Sequence, residues 1–351
     1  MKKRIILAVV MVLIPLLSAG ALLVNSWRKT PYGNLDAGTA VFLNLVIGKD
    51  GCLSQGGTVE EMRKNMAKMT TLLGGSGPDL PLVKNITIPG PAGSIPLRLY
   101  SRGDRNPPIV LFFHGGGWAL GDLETHDAVC RAITKESGAL TVSVDYRRSP
   151  EHKFPAAVDD CYAALLYVGS HGKELDGDPS RIAVAGDSAG GNLAAVISQM
   201  ARDRKGPRIG LQVLIYPGVD FTVQRSANLN ESFRNFSKGY FLSMKDIRYF
   251  SKAYLRTPED MLNPLASPAL AKSLKGLPPA LILSARFDVL YSEGKAYGDK
   301  LKAAGVPVRH QVYDGMIHGF INSLRFVPEA RAAVREIASE LGKVFPSEAA
   351  R

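Results

Sequence analysis

The sequence predicts an α/β fold: a mostly parallel sheet covered by helices on both faces, with a helical cap over one edge. Three observations carry that expectation. From Pro108 onward, short apolar runs alternate with stretches of helical period, the pattern of strands joined by crossover helices. Midway, Arg181-Ile182-Ala183-Val184-Ala185 leads into Gly186-Asp187-Ser188-Ala189-Gly190 and then a small, apolar stretch from Gly191. A buried strand there turns sharply into a helix around one serine. Between Tyr216 and Pro279 the alternation lapses into a long aromatic-rich stretch, too long to be a bare loop.

In chain order, Met1-Lys2-Lys3-Arg4 and the apolar run Ile5 to Val24 read as a signal peptide or N-terminal membrane anchor over residues 1–24. The remainder is then exported, to the periplasm or beyond or held at the membrane, with the basic end left inside. Residues 25–80 form an N-terminal cap region with one helix over 58–73. Thr58 and Glu61 make a capping box, and Val59, Met62, Met66, Met69 and Leu73 share a face. Such a methionine stripe reads first as core packing, and second as the roof of an apolar pocket.

Residues 81–351 form the main domain. Val83–Ile88 and Ile95–Tyr100 pair across the turn at Pro89–Gly93. Further strands are expected at Ile109–Phe113, Ala139–Asp145, Arg181–Ala185, Leu211–Tyr216, Ala280–Ala285 and Val306–Val312. Helices are expected at Thr125–Glu136, Phe154–Val168, Ser292–Ala304 and Val327–Val344, with one more after Ser188. The aromatic stretch, with Phe221, Phe233, Phe236, Tyr240, Phe241, Phe250 and Tyr254, is a helical cap insertion at about 218–262.

The composition is that of an ordinary globular protein: 351 residues, 46% hydrophobic and 21% charged. A net charge of +11 would suit nucleic acid or an anionic membrane. The basic residues are scattered, however, and no nucleic-acid motif accompanies them, so no nucleic-acid partner is expected. Their densest patch, Arg202, Arg204, Lys205 and Arg208, falls at a helix end and loop. Cys52, Cys130 and Cys161 include no CxxC pair, which points to core residues and to neither a metal site nor a disulfide framework.

The serine turn is a nucleophile elbow: it exposes the Ser188 hydroxyl at a helix N-terminus, where the Ala189 N–H can face a developing oxyanion. His114-Gly115-Gly116-Gly117-Trp118 follows a strand directly, and its glycine N–H groups can approach a ligand closely. His114 itself reads as a structural residue beneath that loop. In an α/β-hydrolase the chain order is serine, acid, histidine, on loops after late strands. Asp288 after Ala280–Ala285 fits the acid and His318, in Tyr313-Asp314-Gly315-Met316-Ile317-His318-Gly319-Phe320, fits the base. Asp314, the competing acid, stands so near His318 that it is expected to shape the turn.

These motifs, with Asp145-Tyr146-Arg147-Arg148-Ser149-Pro150-Glu151-His152 and His318-Gly319-Phe320, resemble the hormone-sensitive-lipase family of esterases (bacterial family IV) over about residues 80–345. The resemblance implies the α/β-hydrolase fold and a Ser188–His318–Asp288 triad. It also implies oxyanion donors at Gly116, Gly117 and Ala189, with Gly115 a further candidate on the same loop. Val289 departs from the family, which more often has proline after the acid. The reaction expected is hydrolysis of short- to medium-chain carboxylic esters through an acyl-enzyme, with no metal or organic cofactor. Two alternatives stand beside it: an amidase or deacetylase using the same triad, and a non-catalytic ligand-binding relative.

Overall fold

The computed structural model describes residues 19–48, 57–226 and 229–346. Cys52 and residues 1–18, most of the expected signal or anchor segment, lie outside these. Among the described residues no helix is long and apolar enough to cross a membrane.

Eight strands form one sheet: β1 (Leu82–Gly90), β2 (Gly93–Ser101), β3 (Pro108–Phe113), β4 (Leu140–Val144), β5 (Asp178–Asp187), β6 (Ile209–Ile215), β7 (Ala280–Phe287) and β8 (Val308–Ile317). Their spatial order is β8-β7-β6-β5-β3-β4-β2-β1. The β1–β2 hairpin and the β2–β4 pair are antiparallel, and every other pairing is parallel. The helices are α1 (19–28), α2 (Ala37–Val41), α3 (Val59–Gly74), α4 (Asp127–Ser137), α5 (Ala156–His171), α6 (Ala189–Asp203), α7 (Glu231–Phe236), α8 (Met244–Tyr254), α9 (Tyr291–Ala303) and α10 (Pro328–Val344).

Side chains alternate across each strand, so the sheet divides the core in two. Ile109, Leu111 and Phe113 pack on one side with Ala157, Leu193 and Tyr297 of α5, α6 and α9. Val110 and Phe112 pack on the other with Val129 and Ile133 of α4 and Ala333 and Ile337 of α10. Burial on both faces is why these strands read as unbroken apolar runs rather than as an alternation. Cys130 and Cys161 are free and buried in these clusters, as core residues.

Two departures from the expected layout matter for the site. Residues 25–80 hold more structure than one helix. A two-strand hairpin (Lys29–Thr30 with Gly33–Asn34) leads to α2, which Asp36 caps by accepting the Thr39 N–H and which continues into a π-helical stretch, Phe42–Ile47. A five-residue helix has too few turns to show a period.

The second departure is that β8 continues well past Val312, with a bulge between Tyr313 and Ile317. Asp314 lies in that strand instead of shaping a turn. Its exposed carboxylate pairs with Arg286 at 3.0 Å. The Asp-Gly pair that signals a turn marks a bulge here because the Gly315 carbonyl is taken from outside the sheet, by the Asp36 N–H at 3.0 Å.

Candidate active site

The elbow depends on glycine for close approach. A Cβ on Gly190 would stand 1.9 Å from the Phe113 carbonyl oxygen, and one on Gly186 would stand 2.4 Å from the Gly190 backbone. Strand β5 can therefore turn into α6 while packing directly on β3. Ser188 takes φ 56° and ψ −116°, a sparsely populated conformation that the surroundings must enforce. Its N–H donates to the Ile215 carbonyl at 2.8 Å and its carbonyl accepts from the Asn192 N–H at 3.0 Å.

Two later strand ends converge on that serine. His318 follows β8, and its Nε2 lies 2.8 Å from Ser188 Oγ. Its Nδ1 lies 2.7 Å from Asp288 Oδ2, at the end of β7. Asp288 is 1% exposed, and its Oδ1 accepts the Leu290 N–H at 2.9 Å. Tyr216 packs on the imidazole at 4.6 Å between ring centroids. Val289, where proline is more usual, is buried with Phe233 and Leu242, and its carbonyl accepts from Ser232 Oγ at 2.7 Å.

The glycine loop sits on His114, stacked on Tyr146 at 4.1 Å with Nδ1 2.9 Å from the Gly115 carbonyl oxygen. Burial, with His126 nearby, pushes the His114 pKa down to about 3, so the imidazole is neutral. Gly116, Gly117 and Ala189 line the same cavity as Ser188. Their N–H groups have no protein acceptor among the described residues. Gly115 corrects the sequence expectation: its N–H donates to Asp187 Oδ1 at 2.8 Å and is spent inside the protein.

Asp187 was not singled out in the sequence. Its Oδ1 also lies 3.0 Å from His126 Nε2, and the Tyr216 hydroxyl donates to its Oδ2 at 3.3 Å. Burial alone would raise this carboxyl, but His126 and the Gly115 N–H hold it below the usual range. The anion thus ties the glycine loop, the elbow and the Tyr216 ring together. Its place beside Ser188 was the only sequence signal.

Above these groups lies a largely apolar cavity of about 570 Å³. Met66 and Met69 of α3 line it, whereas Met62 is buried with Ala119, Leu120 and Phe250. The methionine stripe is thus part core and part cavity wall. Phe221, Phe233, Phe241 and Phe250 line the cavity too, Phe250 packed with Met66 and Phe241 with Met69. The Phe250 ring fills the space where a Gly117 side chain would be, 2.3 Å from its ideal Cβ.

Glu293 of α9, also in the wall, went unremarked in the sequence. It is buried, and its Oε1 accepts the N–H groups of Val219 at 2.7 Å and Asp220 at 3.3 Å. Burial pushes its pKa up to about 8, from 4.5 in the unfolded chain. A carboxyl raised in this way stabilises the native state fully below the unfolded value, and that contribution is lost as pH rises through 8. Glu293→Gln keeps the acceptor and stays neutral. Its Tm should therefore gain on wild type as pH goes from about 5 to about 8.5. Parallel Tm–pH curves from thermal melts would overturn this.

The mostly parallel sheet, the serine elbow and the late acid and histidine define an α/β-hydrolase. A sequence profile of the alpha/beta hydrolase fold matches residues 110–322. The chain belongs to that family, in its hormone-sensitive-lipase (bacterial family IV) branch. It is 45% identical over 267 residues to the carboxylic ester hydrolase LipN of Mycobacterium tuberculosis, covering 74% of this chain and 69% of that protein. It is 37% identical to an arylesterase of Saccharolobus solfataricus, covering 71% and 80%. Among solved structures, a hyperthermophilic esterase of Pyrobaculum calidifontis superposes with a TM-score of 0.78 at 42% identity, covering 82% and 92%. An ester hydrolase from the Lake Arreo metagenome, complexed with a bipyridine phosphonate derivative, gives 0.83 at 36%, covering 89% and 100%.

Proposed function

We propose that the chain is a serine carboxylesterase acting on short- to medium-chain esters through an acyl-enzyme. The observation that carries this is the unbroken line from Ser188 Oγ through the His318 imidazole to Asp288 Oδ2, at 2.8 and 2.7 Å, opening on an apolar cavity. His318 Nε2 takes the hydroxyl proton as Ser188 attacks the ester carbonyl, and returns it to the departing alcohol. The Gly116, Gly117 and Ala189 N–H groups hold the tetrahedral oxyanion. Water, activated by the same imidazole, then releases the acid. Asp288 keeps the Nδ1 proton in place and stabilises the imidazolium.

In this reading α3, with the insertion carrying α7 and α8, caps the site and bounds the chain that fits. Residues 5–24 serve as export signal or membrane anchor, so the enzyme works outside the cytoplasm. A panel of p-nitrophenyl esters and anilides tests the reaction class, and turnover confined to anilides would favour the amidase alternative.

Chain length tests the cap. Each methylene buried contributes about 0.8 kcal/mol until the cavity fills, after which further length gains nothing. We expect kcat/KM to rise from acetate to an optimum between about C4 and C8 and to fall by about C12, with emulsified triolein a poor substrate. A monotonic rise through long acyl chains would sink the capped picture.

A further inference from the structure

Several exposed apolar side chains lie at or next to one cavity. Leu45, Val46, Leu72 and Phe326 are 68%, 57%, 54% and 54% exposed. Val46, Leu72 and Phe326 also line the cavity above Ser188. A side chain that lines a cavity while standing more than half in solvent lies at its mouth. Other exposed leucines, such as Leu82 and Leu166, lie on separate elements, as single apolar residues on a surface ordinarily do.

The same cavity wall leads to the N-terminal segment. In α1, Leu22 and Leu23 are 71% and 50% exposed. One turn or so further along, Trp27 packs into the cluster of Leu43, Phe241 and Ile317, with Phe42 and Met69 beside it. Phe42, Met69, Phe241 and Ile317 are cavity walls. Residues 19–24, the end of the apolar run Ile5 to Val24, thus lie on the helix that Trp27 packs against the cavity wall. Cations flank the apolar rim. Exposed Lys68 precedes Leu72 by one turn of α3, and the exposed Arg325 guanidinium lies over the Phe326 ring at 5.2 Å. Apolar side chains flanked by long cationic ones suit the boundary between acyl chains and anionic headgroups.

We propose that the mouth of the cavity docks on an anionic lipid bilayer, so that a single-chain ester dissolved in the membrane enters the site from the acyl-chain side. The choice of substrate rests on the esterase reading; the docking does not. The net charge of +11 favours a negatively charged surface.

The test uses the full chain in vesicles of phosphatidylcholine and phosphatidylglycerol with brominated acyl chains. Leu45→Trp places a reporter next to Val46 of the rim, and Leu166→Trp places one on α5, with the wild-type signal of Trp27 and Trp118 subtracted. The Leu45→Trp emission should lose about half its intensity or more relative to unbrominated vesicles, with Leu166→Trp unaffected. Equal or absent quenching would overturn the docking, including the case where residues 5–24 or a second copy cover the rim instead.

Leu45 is not a cavity-lining residue, so activity adds a second arm. Leu45→Glu should leave hydrolysis of soluble p-nitrophenyl acetate unchanged and lower that of vesicle-borne p-nitrophenyl octanoate by about fivefold or more. Unchanged rates on both would count against docking. A wild-type chain inactive on both esters would refute the esterase reading, and quenching would still decide the docking.

Discussion

Ser188→Ala should lower kcat by about four to six orders of magnitude and leave Tm within about a degree of wild type. The substitution removes one oxygen that faces the cavity and touches His318 Nε2 at 2.8 Å. It keeps the backbone bonds to Ile215 and Asn192 that hold the elbow. Alanine meets the same strain at φ 56° as serine does. Purified variant protein, melted by circular dichroism and assayed on p-nitrophenyl butyrate, checks both halves. Residual turnover above a few per cent would mean that another group is the nucleophile. His318→Ala should cost nearly as much, and the double variant little more than either, because the hydroxyl is a weak nucleophile without its base.

The parts of this site that were legible in the sequence are those set by short-range pattern. Ile182 to Ala185 read as a strand because both faces of the sheet bury them. The elbow was visible because close packing on β3 demands glycine at 186 and 190. Asp288 and His318 could be ranked because each ends a recognisable late strand. What the sequence does not show depends on contacts between distant segments. In the sequence the Gly115 N–H belongs to an open glycine loop; in the fold Asp187 accepts it. Asp187 has meaning only with His126 and Tyr216, which come from elsewhere in the chain. The same is true of Asp314: its strand setting depends on the Asp36 N–H reaching Gly315. Glu293 stands among ordinary helix residues, and only the fold buries it against the Val219 and Asp220 amides.

Asp288→Asn separates the two acids near His318. With aspartate, Oδ2 accepts the Nδ1 proton at 2.7 Å, which leaves Nε2 free to receive the Ser188 proton. Asparagine can keep Oδ1 toward the Leu290 N–H, the bond that positions this side chain. Its amide nitrogen then faces Nδ1 and donates to it. The imidazole must carry its proton on Nε2 instead, pointing at a hydroxyl that needs a base. The cavity is intact and the tautomer is wrong, so kcat should fall by about 10³ to 10⁴ with KM little changed. Asp314→Asn removes only an exposed ion pair with Arg286, worth about 0–1 kcal/mol, and should leave kcat within about twofold. Steady-state kinetics on one ester decide the matter: equal losses, or the larger loss in Asp314→Asn, would take the role of acid away from Asp288.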